Sequence, residues 1–104
     1  MQPKILIIDD EPRIRILLEK ILTLDGFIVI TAEDYKSGIQ KSESENIVVI
    51  ITDVKLPDGS GIELTKKIKA IFPDIEIIVI TAFGQIKDGV EAMKNGAFDY
   101  LVKG

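Results

Sequence analysis

A chain of 104 residues is long enough for one domain with a single core and too short for two. Its 13 basic and 17 acidic residues leave a net charge of −4, which disfavours nucleic-acid binding by the domain itself, because that needs a basic footprint. The absence of cysteine and histidine excludes a disulfide framework, a thiolate site, a Ser-His-Asp triad, a histidine-ligated zinc and a phosphohistidine within this chain.

The first strand is expected at about 4–9, where Lys4-Ile5-Leu6-Ile7-Ile8 runs into Asp9-Asp10. Pro12 then stands near a first helical position, and Ile14, Leu17, Leu18, Ile21 and Leu22 follow at helical spacing until Gly26. A second strand is expected at 27–32. A weaker helix at 34–44 has only Tyr35, Gly38 and Ile39 as an apolar face. Ile47-Val48-Val49-Ile50-Ile51 is wholly β-branched and reads as a strand buried on both faces, ending at Asp53. Pro57 through Gly61 is a turn. A third helix over 61–71 carries Leu64, Ile68, Ile71 and Phe72 and stops at Pro73. A strand at 75–81, a helix at 86–95 with Ile86, Val90 and Met93, and a strand at 98–102 complete the pattern.

Strands alternating with helices imply right-handed βαβ units and an α/β fold with a parallel sheet. The pattern fits a doubly wound, flavodoxin-like five-stranded sheet of order 2-1-3-4-5, with the second strand at an edge. In that order the first and third strands meet at the topological switch point. Asp9, Asp10 and Asp53 then converge in one crevice.

Crowded carboxylates repel one another and call for protons or a cation. Oxygen ligands suit a hard divalent ion, and so few carboxylates without a calcium-type loop favour magnesium. Thr81 ends the fourth strand and Lys103 follows the fifth, on the same sheet edge. A carboxylate, a divalent cation, a lysine and a threonine together describe phosphoryl transfer onto an aspartate. No apolar run approaches bilayer length, and the N-terminus lacks a signal-peptide pattern, so a cytoplasmic location away from the membrane is expected.

Four segments carry a family resemblance: Ile7-Ile8-Asp9-Asp10-Glu11-Pro12, Asp53-Val54-Lys55-Leu56-Pro57-Asp58-Gly59-Ser60-Gly61, Thr81-Ala82-Phe83-Gly84, and Gly96-Ala97-Phe98-Asp99-Tyr100-Leu101-Val102-Lys103. In this order and spacing, the whole chain resembles the receiver domain of two-component response regulators. The resemblance implies a signalling domain, not an enzyme, with Asp53 accepting a phosphoryl group from a phosphohistidine on a sensor histidine kinase. It implies Asp9 and Asp10 as magnesium-holding acids, Asp10 the more direct, with the Lys55 backbone carbonyl and Asp53 completing the ligand set. Thr81 would bond a phosphoryl oxygen and Lys103 would pair with the phosphoryl group. Ala82 matches a small position beside the acyl phosphate, and Tyr100 an aromatic switch position. The Lys55 side chain and Phe83 match positions that tune phosphoryl lifetime. The third and fourth segments further resemble receivers attached to ATPase-type transcriptional activators of the nitrogen-regulation class, which implies transcriptional control as output.

Other roles fit these residues singly. Asp9 and Asp10 could cap the first helix, Asp53 could be a turn residue, and Tyr100 could be half-buried packing. An aspartate-nucleophile phosphatase would need an Asp-x-Asp arrangement at the first strand, which Asp9-Asp10-Glu11 lacks. A flavodoxin-type cofactor site would need a phosphate-binding loop where these acids stand. A receiver that is never phosphorylated is countered by the intact acidic set and Lys103. Receivers continue after the lysine with proline and a fifth helix, whereas Gly104 takes the proline's place and the chain stops. The expectation is therefore a C-terminally truncated receiver spanning 1–104, with the fifth helix missing. One sheet face would then be covered by the first helix alone, and the open apolar surface invites association, for example as a homodimer.

Overall fold

Apolar runs and caps dictate the element order in the computed structural model, which describes residues 2–103; the expectation placed on Gly104 lies outside the described residues. The order is β1 (Lys4–Ile8), α1 (Pro12–Leu24), β2 (Ile28–Ala32), α2 (Tyr35–Ser44), β3 (Ile47–Asp53), β4 (Lys55–Leu56), β5 (Gly59–Ser60), α3 (Gly61–Ile71), β6 (Glu76–Thr81), α4 (Ile86–Lys94) and β7 (Asp99–Val102). The five long strands form one parallel sheet of order β2-β1-β3-β6-β7, the expected 2-1-3-4-5 arrangement with β2 at an edge. β4 and β5 form a two-stranded antiparallel hairpin that turns at Pro57-Asp58, too short to be visible as a sequence period.

The caps explain where helices start and stop. Pro12 occupies the first helical position of α1. Gly26, at φ +93°, closes α1 with Gly26 N–H on Thr23 O and Phe27 N–H on Leu22 O. Gly96, at φ +99°, repeats the motif after α4 with bonds to Met93 O and, from Ala97, to Ala92 O. Both are left-handed closures that favour glycine. Ser60 caps α3 by accepting from the N–H groups of Ile62 and Glu63.

Alternation along the strands divides the interior. Leu6, Ile8, Ile50, Ile77 and Val79 join Ile39, Leu64, Ile68 and Ala92 in the main core, beneath α2, α3 and α4. Ile5, Ile7 and Ile80 are buried on the other face, outside that cluster. That face carries α1, which buries none of its own residues fully. Its inward row is the half-buried Ile14, Leu18 and Leu22, while Leu17 and Ile21 are about half exposed. Among the described residues there are four helices, so this face is covered by α1 alone. In α3, Leu64 and Ile68 are fully buried as expected, but Ile71 is turned out. The expected stripe of α4 is corrected in the same way: Ala92 is the buried residue, and Ile86, Val90 and Met93 are exposed. Those three line a groove of about 740 Å³ between α4 and β7, together with Tyr100 and Val102. No helix among the described residues is long and apolar enough to cross a membrane.

Candidate functional site

Strand register brings the acids together. Ile8 of β1 pairs with Thr52 of β3, so Asp9 and Asp53 emerge side by side at the carboxyl ends of neighbouring strands. Asp53 in turn pairs with Ile80 of β6, which puts Thr81 one residue beyond it. Lys103 N–H donates to Thr81 O at 2.7 Å and returns the chain to this edge after β7.

One carboxylate oxygen from each of Asp9, Asp10 and Asp53 lies within 4.8 Å of the others. Asp9 is fully buried, Asp53 nearly so, and Asp10 is exposed. Lys103 Nζ sits 2.9 Å from Asp9 Oδ2 and 3.0 Å from Asp53 Oδ2, with Glu11 Oε2 at 3.9 Å. Burial works against the ammonium, but hydrogen bonding and charge from Asp9 and Asp53 outweigh it, so the Lys103 pKa lies above the ordinary lysine value. The Lys103 ammonium is the one partner of Asp9 Oδ2 among the described residues. A buried carboxylate oxygen left this way has lone pairs available for a hard cation.

The loops hold these groups in place. Asp9 Oδ1 accepts from Glu11 N–H at 2.9 Å, which fixes the turn into α1; the N-cap of α1 is Glu11, so neither Asp9 nor Asp10 caps it. Arg15, which the sequence reading passed over, donates to Asp9 O at 2.7 Å and lies 4.0 Å from Glu33. Its signal would have been a basic residue one helical turn beyond an acidic loop. Lys55 N–H points at Asp53 Oδ1 at 3.4 Å. Gly61 approaches so closely behind Asp53 that a Cβ there would stand 1.9 Å from Asp53 O.

Thr81 and Tyr100 lie at the rim. The Thr81 hydroxyl is engaged by Phe83, accepting from its N–H at 3.2 Å. Phe83 itself is largely exposed, as is Ala82. Tyr100 is half-buried against the core, and its hydroxyl accepts from Gln85 N–H at 3.3 Å, at the start of α4. All the expected site residues therefore fall at one end of the sheet, with Tyr100 reaching from β7 towards α4.

A family model described as the response regulator receiver domain matches residues 5–104. The chain is 39% identical over 100 residues to response regulator protein PilR of Pseudomonas aeruginosa, covering 96% of this chain and 22% of PilR. It thus spans about a fifth of the length of that relative. The solution structure of the beryllofluoride-activated NtrC4 receiver domain dimer matches with a TM-score of 0.92 at 36% identity, covering 100% of this chain and 85% of that one. Response regulator protein TrrA from Thermotoga maritima, in complex with Mg2+–BeF, matches with a TM-score of 0.88 at 34% identity, covering 100% and 88%. By fold, strand-end chemistry and sequence, the chain belongs to the response regulator receiver domains of two-component systems.

Proposed function

We propose that this domain stores a signal as a phosphoryl group on Asp53, taken from a phosphohistidine on a sensor histidine kinase with Mg2+. The observation that carries the reading is the Lys103 ammonium bridging Asp53 and Asp9 beside the exposed Asp10. An Asp53 carboxylate oxygen forms the new bond to phosphorus as the P–N bond of the kinase breaks, and that electron pair stays on the histidine nitrogen. Asp9, Asp10 and Asp53 fit a hard divalent cation, because they are oxygen donors gathered at one point and Asp9 Oδ2 has lone pairs to spare, and the Lys55 carbonyl would add a fourth oxygen. When bound, that cation offsets charge on the phosphoryl oxygens.

The residues of the chain then read the modification. Phosphorylation adds negative charge and acceptor oxygens at Asp53. Lys103 exchanges a carboxylate partner for the phosphoryl group, and Thr81 exchanges Phe83 for a phosphoryl oxygen. Tyr100, linked to the N-terminus of α4 through Gln85, carries the change to the α4–β7 groove. The domain assists its own phosphorylation and dephosphorylation but turns over no separate substrate. Its exposed apolar groove suits a homodimer, and the similar NtrC4 receiver is described as a dimer. A cytoplasmic location and control of transcription through an output domain agree with relatives described as transcriptional regulators, and the net charge of −4 disfavours direct nucleic-acid contact by this domain.

The test is incubation with acetyl phosphate and magnesium. One acid-labile phosphoryl group per chain is expected, lost without magnesium and in Asp53→Asn. Undiminished labelling of Asp53→Asn would sink the assignment.

A further inference from the structure

The β4–β5 hairpin carries Lys55 past Asp53 on a very small ladder. Only Lys55 with Ser60 and Leu56 with Gly59 are paired. So short a hairpin does not hold its own shape in water. Its two feet are fixed from outside. At one, Lys55 N–H reaches Asp53 Oδ1 at 3.4 Å; at the other, Ser60 Oγ accepts from Ile62 N–H at 3.1 Å at the start of α3.

The tip is fixed by Asp58. Its Oδ1 accepts from Tyr35 N–H at 2.6 Å, and its Oδ2 from Lys36 N–H at 3.0 Å. These are the first two helical residues of α2, whose N–H groups have no partner within the helix. The third, Ser37 N–H, is taken by the N-cap Asp34 at 2.8 Å. Helix α2 is therefore capped by two carboxylates, one local and one belonging to the hairpin, and the positive helix end favours both. Gly59 adds a second contact, since a Cβ there would come within 2.9 Å of Tyr35 Cδ2.

We propose that Asp58 is a positioning residue for the acidic site. By capping α2 from the hairpin tip, it fixes the Lys55 carbonyl and amide beside Asp53, so the affinity of the site for a divalent cation depends on it. Asp58 is not itself one of the clustered acids, and both its oxygens are occupied by α2 amides. Its effect is indirect: a hairpin free at its tip must be ordered when the ligand set assembles, and that ordering is subtracted from binding. This inference rests on the reading of the site as a magnesium-dependent phosphoacceptor.

The experiment is a magnesium titration of the full chain, followed through the Asp53 and Lys55 amide resonances, with melting temperature measured on the same samples. Asp58→Ala is expected to weaken magnesium binding roughly tenfold, the lower end of what outer partners of metal ligands are worth. Asp58→Asn, which keeps one acceptor, is expected to fall between Asp58→Ala and the parent. Asp34→Ala uncaps the same helix without touching the hairpin. It is expected to lower the melting temperature while leaving magnesium affinity unchanged. Unchanged affinity in Asp58→Ala would reduce Asp58 to a helix cap and overturn the proposal. Equal affinity losses in Asp58→Ala and Asp34→Ala would overturn it too, since α2 stability and not hairpin position would then be in control. A parent chain that binds no magnesium would overturn the reading of the site itself, an outcome visible before any variant is compared.

Discussion

Lys103 Nζ lies 3.0 Å from Asp53 Oδ2, across 50 residues of chain, and the same nitrogen lies 2.9 Å from Asp9 Oδ2. The lysine is thus already the counter-ion of the carboxylates before any phosphoryl group arrives. The sequence reading gave magnesium the whole task of relieving acidic repulsion. The geometry gives Lys103 the first share of it, with Asp10 exposed beside the pair.

Removing that ammonium should therefore destabilise the metal-free domain. Lys103 is only 10% exposed at its side chain, so Lys103→Met leaves two buried acids without their counter-ion. Breaking such a pair costs about 3 kcal/mol. Urea denaturation should show this loss, and saturating magnesium should recover part of it. A Lys103→Met chain as stable as its parent, with or without magnesium, would contradict the counter-ion role.

Gly61 offers a steric test of the phosphoacceptor strand. An added Cβ would stand 1.9 Å from Asp53 O and 2.9 Å from Asp53 C, both backbone atoms that no rotamer change can move. Gly61→Ala should cost at least the ~3 kcal/mol upper end of ordinary overpacking and shift the Asp53 amide resonance. Gly26→Ala is the control: nothing lies within 4 Å of its added Cβ, and only the φ of +93° penalises it, by about 1 kcal/mol. Denaturation midpoints that rank the two variants the other way would show that the main chain behind Asp53 can yield.

Much of this site was legible in the sequence because strand ends and order are. The apolar runs before Asp9, Asp53 and Thr81 fixed their exit from one sheet edge, and the observed register put them there. What was hidden depends on which way a face turns. Ile86, Val90 and Met93 have helical spacing but face outward, and the small Ala92 is the residue that α4 buries against the core. Asp58 gave no signal, because its partners are the amides of Tyr35 and Lys36, far away in sequence. Arg15 gave only the faint signal of a basic residue one turn beyond an acidic loop, since its partner is a main-chain carbonyl.

The proposed switch can be tested at the Thr81 hydroxyl. It is bound to the Phe83 main chain, so reaching a group on Asp53 requires breaking that bond. Addition of beryllofluoride and magnesium should move the Phe83 amide, the Gln85 amide and the Tyr100 ring resonances together in the parent. In Thr81→Ala the ligand should still bind, while Gln85 and Tyr100 stay near their starting positions; Thr81→Ser should restore the movement. Full movement of Tyr100 in Thr81→Ala would uncouple the two residues.

Acid should loosen α2 at its cap. Asp34 has a depressed pKa, first because the Ser37 hydroxyl donates to it at 2.6 Å and then because Ser37 N–H does so at 2.8 Å. A carboxyl lowered in the folded state from 3.8 gives a contribution that is complete above that value and lost as pH falls through the lower folded pKa. The group is solvated, so the outcome is fraying of the first turn of α2 and not global unfolding. Titration of the Asp34 carboxyl carbon by NMR should give a value below 3.8. Ser37→Ala should raise it by removing the larger of the two bonds, and amide exchange at Ser37 should quicken over the same acid range. An Asp34 that titrates at or above 3.8 in the folded chain would show that its cap bond is not formed in solution.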